Sequence, residues 1–320
     1  MSGSASQHAP LASRPRVAWV DSARCLAMFF IMWLHVGEAP FWIPRPVGGG
    51  ICLFFLLAGY FMPRDAAKAA RRALWLGLAW VIWSALTFGL YLLVWPGLEW
   101  TWSRVLGYGA ASYNTPLWFL KNLTIYQLII AGLAAIRLLP RANWLLVVVL
   151  ASLSYVKEPA QHEALRFDWM VAVMLGYSLR SISLNRMEQW LKEHLWYILA
   201  AIAFILLQRE LYPLFVKWQG LSYYRCSLPV AQLCYAVLMC LAAMGLERYL
   251  PRVNGWLATA GGCMMFTYVA HTLLFAIIYH FNLPRWCGFI YAAAGIALLT
   301  WLYKRLAARW PRTMAILTAR

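Results

Sequence analysis

The chain has 320 residues, of which 63% are hydrophobic and only 12% charged, and its mean hydropathy is +0.62. Soluble domains run near ~45–50% apolar and ~25% charged, so a soluble enzyme, a disordered chain and a disulfide-stapled secreted module are excluded. The formal net charge is nevertheless +17, from 28 Lys and Arg against 11 Asp and Glu. Where those charges fall decides between a nucleic-acid partner and membrane topology.

Residues 1–15 are polar and rich in Ser and Ala, without the charged start and cleavage pattern of a signal peptide, and are expected to form a disordered cytoplasmic tail. The remainder, 16–320, reads as a single transmembrane domain. Apolar runs that approach the ~20 residues of a spanning helix occur at 20–42, 47–62, 73–95, 116–138, 144–156, 167–180, 195–208, 225–246, 256–280 and 286–303. They predict an all-α integral membrane protein, a bundle of about ten transmembrane helices with both termini cytoplasmic. Pro44, Pro63, Pro96, Pro116, Pro140, Pro159, Pro213, Pro251 and Pro284 fall at or near the junctions, where a helix break costs least.

With that orientation, 18 of the 28 cations lie in cytoplasmic segments and 8 outside, while Arg24 and Lys121 lie within spans. The asymmetry is the positive-inside pattern, so the bilayer is the expected partner and nucleic acid is not. Trp19, Trp42, Trp95, Trp144, Trp190, Trp256 and Trp286 sit near span ends, as an interfacial belt requires. Five of the seven cysteines lie in apolar runs and none forms a C-x-x-C pair, so no metal or disulfide framework is expected. Internal repeats, the mark of many transporters, are not visible.

Polar groups inside spans are costly and therefore informative. The first span carries Asp21, Arg24, His35 and Glu38. Eleven helical steps of about 100° bring Arg24 and His35 within ~20° of one face, ~16 Å apart along the axis. Asp21 is spaced to pair with Arg24, and Glu38 to orient or charge the His35 imidazole.

The run Asp21-x-x-Arg24 with His35 resembles the first-helix signature of the acyltransferase-3 family, bacterial polytopic membrane proteins that place short acyl groups on cell-envelope glycans. Leu53 to Phe61 (L-F-F-L-L-A-G-Y-F) is similar to the family's second-helix motif, and the basic cluster Lys68-Ala-Ala-Arg71-Arg72 follows it. Pro116 to Tyr126, containing Trp118, and Tyr268 to His271 complete the order. The sequence departs at Cys25, where the family has Gly, at Ala58, where it has Ser, and at Leu123, where many members carry an acid. The length resembles the small form that lacks an added esterase-like domain.

The resemblance implies an O-acyltransferase of the bacterial inner membrane that uses acetyl-CoA or another acyl-CoA as co-substrate, with no permanently bound cofactor or metal. The acceptor would be a glycan or a lipid-linked sugar. His35, with its ordinary pKa near ~6.5, is the candidate general base. Arg24 would support the reacting centre or hold the donor. Arg64, Lys68, Arg71 and Arg72 are the candidate acyl-CoA contacts, since coenzyme A phosphates call for cationic donors. Asp21, Glu38, Trp118 and His271 are candidate supporting residues. From other classes, a polytopic transporter or lipid-linked glycan flippase with a polar helix core, and a non-catalytic membrane partner, fit the same composition.

Overall fold

The computed structural model describes residues 17–36, 38–40, 42–94, 117–139, 141–156, 166–215 and 220–319, and every regular element among them is helical. The tail expected at 1–15 lies outside the described residues. In chain order the α-helices are α1 (Ala18–Val36), α2 (Pro44–Tyr60), α3 (Ala66–Val94), α4 (Trp118–Ala135), α5 (Asn143–Val156), α6 (Phe167–Leu179) and α7 (Leu184–Glu193). They continue as α8 (Leu195–Phe215), α9 (Gly220–Tyr249), α10 (Pro251–Gly261), α11 (Met264–His280), α12 (Gly288–Arg309) and α13 (Pro311–Leu317).

Every apolar run of the sequence falls on a helix, but five helices are long and apolar enough to cross a membrane, or seven if each of two bent pairs is one crossing. About ten were expected. The difference is one of length. Helices α5 and α6 have 14 and 13 residues, a rise of roughly 20 Å at 1.5 Å per residue against a hydrocarbon core of ≈ 30 Å. The run read as one span at 256–280 is broken after Gly261, and α10 meets α11 at 75°. Helix α7, read from sequence as part of a loop, is amphipathic, starts at Ser183, whose side chain accepts from the Arg186 N–H, and meets α8 at 79°.

Helix α1 is the central strut, packed against α2, α9, α10, α11 and α12. In lipid the hydrophobic effect does not drive helices together, so close approach at small residues has to supply the association. Two crossings show this. A Cβ on Gly59 would stand 2.0 Å from the Val173 carbonyl oxygen, and one on Gly176 would stand 1.9 Å from that of Leu56, so α2 and α6 touch backbone to backbone. At the other, a Cβ on Gly261 would stand 1.8 Å from the Asp21 carbonyl oxygen, which seats α10 on the first turn of α1. Gly176→Ala must therefore push α6 off α2. We expect it to lower stability by about 1–3 kcal/mol, read as a lower melting temperature of the detergent-solubilised protein.

The tryptophans expected near the membrane interfaces differ in burial. Trp42, Trp144, Trp190, Trp256 and Trp286 are exposed on the bundle surface, whereas Trp19 is buried and donates from its indole N–H to the Glu188 carboxylate at 3.1 Å. That bond ties α7 to the start of α1. Trp95 lies outside the described residues.

Candidate active site

One face of α1 carries the polar residues that the sequence singles out. At its N-terminal end the Arg24 guanidinium donates to the Asp21 carboxylate at 2.8 Å, and both side chains are largely buried. Arg24 also lies over the Phe61 ring, 5.3 Å from its centroid. A buried ion pair gains from low dielectric only while its remaining hydrogen-bonding capacity is met, and here it borders an open space.

That space is a cavity of about 1150 Å³, lined at this end by Asp21, Arg24, Tyr60, Arg64, Arg72 and Arg180. It is larger than the ~300–1,000 Å³ of most ligand pockets. The four arginines come from four separate places in the chain. Arg24 stands on α1, Arg64 in the α2–α3 turn, Arg72 in the second turn of α3, and Arg180 just past α6. Arg72 is fixed by donating to the Phe61 carbonyl at 2.9 Å. Arg180 stacks on Tyr177, 3.7 Å from the ring centroid, and donates to its hydroxyl at 2.7 Å. Its other terminal nitrogen, Nη1, is buried with no hydrogen-bond partner among the described residues. Tyr60 closes the rim by donating to the Ile182 carbonyl at 2.6 Å. Against these cations the cavity wall presents one acid, Asp21, so the mouth is built for an anion.

The rest of the lining is mainly apolar and aromatic and includes Phe54, Leu57, Leu76, Leu123, Met264, Phe119 and Tyr268. Ala58, the position where the family motif has Ser, lines this wall as a small apolar residue. Phe119 packs edge-on against Tyr268, with centroids 5.2 Å apart.

Beyond Tyr268 lie the histidines. The His271 ring is 5.5 Å from that of Tyr268 and 5.9 Å from that of His35, and Phe275 packs on both histidines. His271 is fully buried. Its Nδ1 faces the Tyr268 carbonyl, and a carbonyl only accepts, so Nδ1 carries the proton and Nε2 holds the free lone pair. That Nε2 has no partner among the described residues. His35 is half-buried at the last turn of α1, where the Tyr279 hydroxyl donates to its carbonyl oxygen at 2.9 Å. The cavity and the histidines are thus neighbours separated by one aromatic layer. His35 does not itself line the cavity.

The other expected site residues divide clearly. Arg64 and Arg72 line the cavity, whereas Lys68 and Arg71 point to the exposed side of α3. The Lys68 N–H donates to the Asp65 carboxylate at 2.8 Å, a cap on the start of α3. Glu38 is not brought onto His35. Helix α1 stops at Val36, so the three-residue spacing no longer stacks the two. Glu38 is exposed, with its N–H donating to the Arg285 carbonyl at 3.1 Å. Trp118 faces away from the cavity lining and packs with Phe55 and Trp169, 5.9 Å from the Arg166 guanidinium. Arg166 in turn grips Asp168 at 2.6 and 3.2 Å.

Three cavity residues were not anticipated: Arg180, Tyr268 and Gln127. Tyr268 had a visible signal, as the first residue of the late Y-V-A-H motif. Arg180 falls among the 18 cations counted as cytoplasmic, and nothing in the sequence singles out Gln127.

Comparison with known proteins agrees with the motifs. A family model described as an acyltransferase domain matches residues 17–310, nearly the whole chain. No curated protein and no solved structure matches.

Proposed function

Because the chain belongs to the acyltransferase-3 family, we propose that it is a membrane-bound O-acyltransferase moving an acetyl or other short acyl group from cytoplasmic acyl-CoA to a hydroxyl of an envelope or exported glycan, across the bacterial inner membrane. One observation carries this reading. A cavity lined by Arg24, Arg64, Arg72 and Arg180 also has Phe119 and Tyr268 in its wall, and Tyr268 packs against His271, which packs against His35. Phosphates of the donor fit the arginine mouth. The ~16 Å between Arg24 and His35 along α1 suits an extended thioester arm, and the acceptor sugar approaches from the histidine end.

The chemistry follows from the groups present. A sugar hydroxyl attacks the thioester carbonyl carbon, and its proton passes to a histidine, His35 in this reading. The new C–O bond forms as the C–S bond breaks, and the thiolate leaves and is reprotonated. His271, held with its lone pair outward by the Tyr268 carbonyl, positions His35 or the hydroxyl. Bringing donor and acceptor together at this layer requires Phe119 or Tyr268 to give way, which makes that layer the barrier between the two sides.

The experiment is direct. Membranes carrying the protein are supplied with labelled acetyl-CoA, and the envelope glycan is compared by mass spectrometry with and without the gene. Label in the glycan, as a base-labile ester that disappears with the gene, supports the reading. Unchanged glycan acylation together with no acyl-CoA turnover rejects it in favour of transport.

A further inference from the structure

Gln127 is the most unusual polar residue of the cavity wall. It lies on α4, is 0% exposed, and neither its amide oxygen nor its amide nitrogen has a hydrogen-bond partner among the described residues. A buried amide left unpaired costs ≈ 1–3 kcal/mol by mutational measures, and an apolar side chain of similar size would avoid that cost. A group kept at such a cost inside a ligand-sized cavity is poised for something that enters it.

Its position narrows what that is. Phe119, Leu123 and Gln127 recur every four residues along α4, and all three line the cavity. They form one stripe, with Gln127 about 12 Å from Phe119 along the axis. An amide offers one acceptor and two donors, so it can take an N–H that an arginine cannot. A phosphate needs only donors, and the arginines supply them. A thioester has no N–H to give.

We propose that Gln127 recognises an amide group of the acyl donor's arm through a hydrogen bond that its Oε1 accepts from the ligand N–H; a trans secondary amide points its carbonyl the opposite way, so the Nε2 donors serve another acceptor of the arm. The inference rests on the acyl-CoA reading above and adds to it a residue that selects the donor by its connecting arm, apart from its phosphates. An N-acetyl group on the sugar acceptor has the same chemistry, so the test separates the two sources.

The test uses the full-length protein in membranes and a donor series: acetyl-CoA, S-acetylpantetheine with both amides and no nucleotide, S-acetyl-N-acetylcysteamine with one amide, and ethyl thioacetate with none. Gln127→Met keeps the volume and removes both polar atoms. It should lower kcat/KM about tenfold or more for the donors with both amides and leave ethyl thioacetate within about twofold. The unliganded variant should melt no lower than wild type, because no internal hydrogen bond is lost. Four outcomes overturn the proposal. An unchanged kcat/KM of Gln127→Met, relative to wild type, with the amide-bearing donors removes the role while leaving the acyltransferase reading intact. An equal loss with every donor, together with a raised KM for the acceptor, assigns the amide partner to the sugar. A lower melting temperature with an equal loss for every donor makes Gln127 structural. A wild type inactive with every thioester defeats the donor reading and this inference together.

Discussion

Replacing His35 by alanine should lower acyl transfer by about 100- to 10,000-fold, the usual worth of a positioned general base, and leave acyl-CoA affinity unchanged. The two halves of that result are separable because the site is divided. His35 is not part of the cavity wall, so deleting its ring removes no donor contact. It sits across the Phe119–Tyr268 layer, where the acceptor hydroxyl must lose its proton. The measurement is labelled-acetyl transfer beside equilibrium binding of acyl-CoA to the same membranes. The informative partner is His271→Ala. His271 has a buried Nε2 with no partner among the described residues and its ring lies 5.9 Å from that of His35, so it is the candidate to take over the role. If His35→Ala retains full activity and His271→Ala does not, the base is His271. If both lose transfer equally, the histidines act as a unit, and their effects will not add.

The helical positions were legible in the sequence because a run of apolar residues bounded by proline has few alternatives in lipid. Their adequacy as membrane crossings was not. A run of residues such as 256–280 contains no proline, and its break at Gly261 follows from the seat that α10 takes on the Asp21 backbone, a tertiary contact. The short α5 and α6 likewise look like spans until their rise is set against the bilayer. At the site, the Arg24–His35 face was legible because it depends on nothing beyond helix periodicity. Glu38 failed for the same reason in reverse, since its pairing assumed a helix that ends two residues earlier. Gln127 and Arg180 were invisible because a cavity wall is assembled from distant parts of the chain. Both then show themselves by one physical signature, a buried polar atom with no hydrogen-bond partner among the described residues.

The basic cluster after α2 can be divided by a second experiment with a large expected effect. Four cations in nine residues, Arg64 to Arg72, look equivalent in the sequence and would all serve positive-inside topology. The structure turns Arg72 to the cavity and leaves Lys68 and Arg71 on the exposed side of α3. A charge-assisted hydrogen bond to phosphate is worth about 1.5–3 kcal/mol, which converts to roughly a 10- to 150-fold change in affinity. Arg72→Gln and Arg180→Gln should each weaken acyl-CoA binding by that order, raising KM with little change in kcat, because they hold the donor and do not touch the reacting atoms. Their combination should lose more than either, and raising the salt concentration should weaken the wild type more than the double variant. Lys68→Gln and Arg71→Gln, which remove the same charge from the same nine residues, should leave KM within about twofold. Equal losses at all four positions would mean that the donor feels only the summed field of the cytoplasmic face. Losses confined to Arg72 and Arg180 would mean that it is gripped in the cavity, with Arg180 Nη1, buried and without a partner among the described residues, among the donors that its phosphates satisfy.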